Sequence, residues 1–166
     1  MHDKNYYHEL KARWMPSEIS LVWLFESPPV SGNYFYDESG RTTETLFSNL
    51  MKLYGWEPKT KAEGLRLFQD AGLVLWDGTY TQVNHASRKE RMQIIASDYS
   101  DLRSTIPRKP IVIGAVTVLD AIGDKLVADG FEVINDGVRL PFPGFGQQGK
   151  FQSLAPKVLE YWCKTS

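Results

Sequence analysis

Three short apolar runs constrain this chain more than anything else in its sequence. Ile19 to Phe25, "LVLW" at residues 73–76 and "KPIVIGA" at residues 109–115 each read as a strand that is apolar on both faces. A strand of that kind belongs inside a sheet covered on both sides. Stretches with helical spacing separate the runs, and parallel strands need crossovers longer than a hairpin. The alternation predicts an α/β protein with a three-layer α/β/α architecture. "FEVI" at residues 131–134 would complete a four-stranded parallel sheet.

The helical stretches carry their own start and stop signals. "MHDKNYYHELKARW" is amphipathic and breaks at Met15-Pro16, while "TTETLFSNLMKLYG" places Leu46, Phe47, Leu50, Met51 and Tyr54 on one face before a stop at Gly55. Thr60 with Glu63, and Ser87 with Glu90, have capping-box spacing. The second box opens a helix through Met92, Ile95, Tyr99 and Leu102 that ends at Pro107. "TVLDAIGDKLVADG" forms a helix closed by Gly130, and "LAPKVLEYW" a last helix with Pro156 in its first turn.

A chain of 166 residues supports one domain, expected to span 1–166. With 42% hydrophobic and 23% charged residues and no run long enough to cross a bilayer, no membrane partner is expected. The N-terminal segment lacks the apolar core of a signal peptide, so a cytoplasmic location is expected, as is a monomer. The single cysteine, Cys163, excludes disulfides within the chain, cysteine-based zinc sites and cysteine-ligated iron–sulfur clusters. No Gly-rich dinucleotide turn or phosphate-loop lysine follows any strand, and neither a metal nor another cofactor is expected. A net charge of -1 still leaves room for a local basic patch that holds a phosphate backbone.

In open parallel sheets ligands bind beyond the carboxyl ends of the strands, which places residues 26–41, 77–86, 114–117 and 139–150 on one rim. The motifs there are "FESPP", "GNYFYDESG", "GLVLWDGTYT" and "LPFPGFGQQGKF", with "KPIVIGAVTVLDAI" supplying a strand and helix between them. Taken in order over nearly the whole chain, they resemble the uracil-DNA glycosylase superfamily. The resemblance implies a four-stranded parallel sheet flanked by helices. It also implies hydrolysis of the N-glycosidic bond of a damaged or deaminated base, uracil or a relative, in single- or double-stranded DNA during base excision repair.

The resemblance assigns roles to individual residues. Ser27 stands where the most active branch of the family has its water-activating aspartate, Glu26 adjoins it, and Pro28 matches the motif's proline. Asp77 occupies the position of the asparagine that reads the extruded base, and Phe35 that of the stacking phenylalanine, with Tyr34 and Tyr36 as rivals. Pro141, Pro143 and Gly144 fall in the loop that enters the minor groove, where Leu140 replaces a histidine that stabilises the departing base. One branch that bonds covalently to DNA has a basic, histidine-containing loop after its second strand, and "HASRKER" offers His85, Arg88, Lys89 and Arg91 there. These charges either contact phosphates or form a solvated helix face.

Cleaving the base from its sugar passes through an oxocarbenium-like state with negative charge growing on the base, so a site needs a positioned water and a leaving-group stabiliser. A serine hydroxyl orients water without a carboxylate's charge. Strand alternation turns Glu26 toward the face opposite Ser27, which leaves it either a catalytic group or an ion-pair member. An ionised Asp77 only accepts hydrogen bonds and repels the O4 carbonyl of uracil. It is therefore protonated in a dry pocket, or favours a base presenting an amino or imino donor, or simply opens the turn before Gly78. Trp23 and Trp76 are expected in the core. Two other readings compete with the enzyme: a non-catalytic module binding a nucleobase or nucleic acid, and a hydrolase acting on another small glycoside.

Overall fold

The structure, a computed structural model, describes residues 2–165, with side chains described as far as residue 160; the side chain of Cys163 lies outside the described residues. Ten elements follow one another: α1 (Lys4–Ala12), β1 (Leu21–Phe25), α2 (Thr45–Leu53), α3 (Lys61–Asp70), β2 (Leu73–Asp77), α4 (Arg88–Ser97), α5 (Tyr99–Thr105), β3 (Ile111–Ile113), α6 (Val116–Ala128) and α7 (Gln148–Thr165). The three strands form one parallel sheet in the order β2-β1-β3. β1 is central, and Leu21 through Phe25 are all buried, as its unbroken apolar run requires.

Alternation along the strands divides the interior into two apolar layers. Leu21, Trp23 and Phe25 of β1, with Leu73 and Leu75 of β2, face side chains from α1, α2, α3 and α7. Val22, Leu24, Val74 and Trp76 face α4, α5 and α6 on the opposite side. Trp23 donates its indole N–H to the Tyr54 hydroxyl at 2.9 Å, a buried polar atom satisfied inside the first layer. Among the described residues no helix is long and apolar enough to cross a membrane.

The fourth strand does not form. Residues 131–134 begin to pair with β3, with Ile111 bridged in parallel to Val133, and then stop. The Asn135 side chain takes over the ladder, accepting from the Ile113 backbone N–H at 2.8 Å and donating to the Ile113 carbonyl at 3.0 Å. Because this amide satisfies the edge of β3, the backbone is free to turn at once through Asp136 and Gly137, at φ of +47° and +78°.

Two helices also differ from their sequence-based limits. The run from Met92 to Leu102 is split at Asp98 into α4 and α5, after a full capping box at Ser87 and Glu90. α7 begins at Gln148, so Pro156 lies inside the helix rather than in its first turn. Phe151, Ala155 and Val158 are buried at helical spacing on the first apolar layer. That burial outweighs the turn-like "GFGQQG" and the one helical hydrogen bond that proline removes, and Pro156 itself faces solvent.

Candidate active site

The carboxyl ends of β1 and β2 open into a cavity of about 340 Å³. Its wall comes from the turn after β1, the 33–35 stretch, the start of α2, the end of β2, and the Pro-rich loop before α7. Strand register explains the meeting: Phe25 pairs with Asp77, so the chain leaves both strands at the same height. Gly78 and Thr79 then donate backbone N–H groups to the carbonyls of Phe25 and Glu26 at 2.8 and 3.0 Å. These bonds lock the two turns together. The Asn84 side chain accepts from the Val30 N–H at 3.1 Å, and Gln82 donates to the Pro29 carbonyl at 3.3 Å, which fixes the loop beyond the prolines.

Ser27, Pro28 and Asp77 all line this cavity. Asp77 continues the alternation of Leu73 and Leu75, so its carboxyl enters the aromatic layer rather than solvent. It is only 4% exposed. The Tyr34 hydroxyl donates to it at 3.4 Å. Burial pushes its pKa up to about 6, against the opposing pull of Lys11 and of the Tyr34 hydroxyl. Asp77 is thus an ionisable group in the wall of a mostly apolar site, not merely the opening of a turn.

Glu26 lies on the other face, as alternation requires. It accepts from Arg91 of α4 at 3.2 Å and from the Thr117 hydroxyl of α6. Of the two roles open to Glu26, the ion pair is the one formed, although the residue still borders the cavity. Phe35 borders it too, but is only 3% exposed and packs edge-on against Tyr36 and Phe68. It is a core residue whose ring forms part of the floor rather than a free stacking platform. Tyr36 is spent on the core, its hydroxyl oxygen accepting from the Leu75 backbone N–H at 2.7 Å.

The Pro-rich loop contributes unequally. Gly144 lines the cavity, Pro141 and Pro143 are buried behind it, and Leu140 is fully buried in the core. His85, Arg88 and Lys89 do not line it. Arg88 and Arg139 share Asp120, which Arg139 grips with two bonds of 2.7 and 2.9 Å. His85 and Lys89 are exposed at the start of α4. Trp23 and Trp76 sit in the core as expected.

Several residues of the site carry weaker signals in the sequence. Lys11 lies in an otherwise apolar stripe with Tyr7, Leu10 and Trp14, and a lysine in such a stripe marks a buried charge. It is 3% exposed, its ammonium 3.5 Å from the centre of the Trp76 ring and 2.8 Å from the Tyr80 hydroxyl. Burial lowers its pKa to about 8. Glu44 also lines the cavity and is clamped by Lys61 at 2.6 Å; the same ammonium donates to the Tyr34 carbonyl at 2.6 Å. Phe145, at the cavity rim, is 93% exposed with a φ of +53°. A bulky residue held outward in the left-handed region stands out as a functional candidate. Among the described residues no cluster of three or more His, Cys, Asp or Glu side chains forms a metal site. No family model, curated protein or solved structure matches this chain.

Proposed function

We propose that the cavity receives a nucleobase turned out of a DNA strand and that the chain hydrolyses the N-glycosidic bond of a deaminated or damaged base, as a divergent member of the uracil-DNA glycosylase superfamily. One observation carries this reading: Ser27, Asp77, the Tyr34–Phe35 wall and the Gly144–Phe145 loop, distant in sequence, border a single cavity at the carboxyl end of the sheet. Its size, at the small end of the roughly 300–1,000 Å³ usual for ligand sites, suits one flat ring system.

Each group has work in that reaction. Asp77 reads the edge of the base: above about pH 6 it is a carboxylate that accepts from an imino or amino N–H. Ser27 and nearby backbone carbonyls direct water at the sugar carbon. Phe145 projects from the rim as an apolar wedge of the kind that fills the gap a flipped base leaves. His85 and Lys89 lie exposed beside α4, where phosphates of a bound strand would pass.

The test incubates the purified protein with single- and double-stranded oligonucleotides containing uracil, hypoxanthine, xanthine or mismatched thymine, and looks for alkali-sensitive abasic sites. Product from at least one is expected. No product from any of them refutes the reading. A second reading, a binding module of the same shape, is favoured by the commitment of Glu26 to Arg91 and Thr117, which leaves Ser27 without a free carboxylate beside it. DNA binding that weakens steeply with salt, with no excision, would select it.

A further inference from the structure

The Pro-rich loop brings no histidine to the cavity, since Leu140 is buried in the core, and no histidine is found elsewhere in the cavity wall. Among the described residues the wall contains three carboxylates, on Glu26, Glu44 and Asp77, and one cation, on Arg91. Glu26 holds that guanidinium at 3.2 Å and is itself held by the Thr117 hydroxyl, so the cation is fixed before any ligand arrives. The Arg91 side chain remains 30% exposed. Its Nε–H is buried and finds no acceptor among the described residues. As the charged donor that borders the cavity and stays partly exposed, Arg91 is where an anionic acceptor on a ligand meets its counter-charge.

We infer that Arg91 is a catalytic residue of this site, receiving the negative charge that the base carries away. The inference rests on the glycosidase reading above. As the bond from C1′ to the base nitrogen breaks, its electron pair stays with the base. Water adds its oxygen to C1′ and gives one proton to solvent; the base leaves as an anion against Arg91 and takes a proton from solvent on release. A guanidinium already held in place by Glu26 favours the state in which this charge has formed over the neutral bound base. An arginine stays charged throughout the working pH range, so this role needs no titration of the stabilising group.

The test uses two pyrimidines and three proteins. Barbiturate, an acidic pyrimidine that is an anion at neutral pH, mimics the departing base, and uracil is its neutral counterpart. Calorimetric titration of the full chain is expected to show barbiturate bound about 10²-fold tighter than uracil or better. Arg91→Gln should lose this preference. Because it strands Glu26, the double variant Glu26→Gln/Arg91→Gln, folded by circular dichroism, should lose it too. No preference in the unaltered protein, or a preference that survives in both variants, overturns the inference.

Single-turnover excision supplies the second arm. Arg91→Gln should lower the uracil rate about 10²–10³-fold, and clearly less for 5-fluorouracil, whose anion needs less help, with DNA affinity unchanged. Equal losses for the two bases, or a weaker affinity with a shallower salt dependence, identify a phosphate contact and overturn the inference. Full excision by Arg91→Gln overturns it while leaving the glycosidase reading intact. An Arg91-dependent barbiturate preference without excision of any base refutes the glycosidase reading and the catalytic role with it, and leaves Arg91 as an anion subsite only.

Discussion

Replacing Asp77 with asparagine should make the protein more stable at neutral pH, although it removes a residue from the candidate site. Burial raises the carboxyl pKa from 3.8 to about 6. Below pH 3.8 the group is protonated in the folded and unfolded chains alike. Between pH 3.8 and about 6 the unfolded chain releases its proton while the folded chain keeps it, so stability falls as pH rises through this window and is level above it. At about 1.4 kcal/mol per pH unit, carrying the ionised carboxylate in the folded state costs about 3 kcal/mol at pH 7. Lys11, with a pKa of about 8, stays protonated across the window. Asparagine keeps the shape and the polar contact to Tyr34 without the charge. Urea unfolding of Asp77→Asn and the unaltered protein from pH 3.5 to 7 should therefore diverge by up to about 3 kcal/mol, a midpoint difference of about 1–3 M at neutral pH. Parallel curves over that range would refute the claim that Asp77 carries its charge in a desolvated site.

Other perturbations test the walls of the cavity. Lys61→Met removes one member of a pair whose side chains are 0% and 5% exposed, stranding Glu44, and should cost about 3–5 kcal/mol in urea unfolding; Lys61→Met/Glu44→Gln should recover much of it. Gly114→Ala places a Cβ 2.4 Å from the ring of Phe25, which borders the cavity; a loss of about 1–3 kcal/mol in thermal melts is expected together with weaker free-base binding. Phe145→Ala should change stability by less than about 0.5 kcal/mol, because the ring is 93% exposed, yet weaken binding to a uracil-containing duplex more than to free uracil. Equal binding to the duplex by both proteins would remove Phe145 from the DNA contact.

The strands at Leu21–Phe25 and Leu73–Asp77 were legible because a strand buried on both faces must be apolar throughout. Capping at Thr60 and Ser87 was legible because both ends of each motif lie within one turn. The fourth strand was not: its apolar "FEVI" is present, but a side-chain amide 22 residues from Ile113 satisfies the sheet edge instead. Pro156 lies inside α7 for a related reason. A local breaker was outweighed by the burial of Phe151, Ala155 and Val158 against the sheet.

The candidate site divides in the same way. Period-two alternation, a property of the sequence once β1 and β2 are recognised, put Ser27 and Asp77 on one face and Glu26 on the other. It says nothing about what waits on either face. That Glu26 meets Arg91 and Thr117, that Lys11 lies behind Asp77, and that Phe35 turns into the core while Phe145 turns out depend on contacts between segments far apart in the chain. Local patterning sets which face a side chain leaves from, because backbone geometry repeats every two or 3.6 residues. Charge, burial and partnership in the cavity were decided only when helices and loops closed over the sheet, since desolvation and pairing belong to the packed arrangement and not to any one segment.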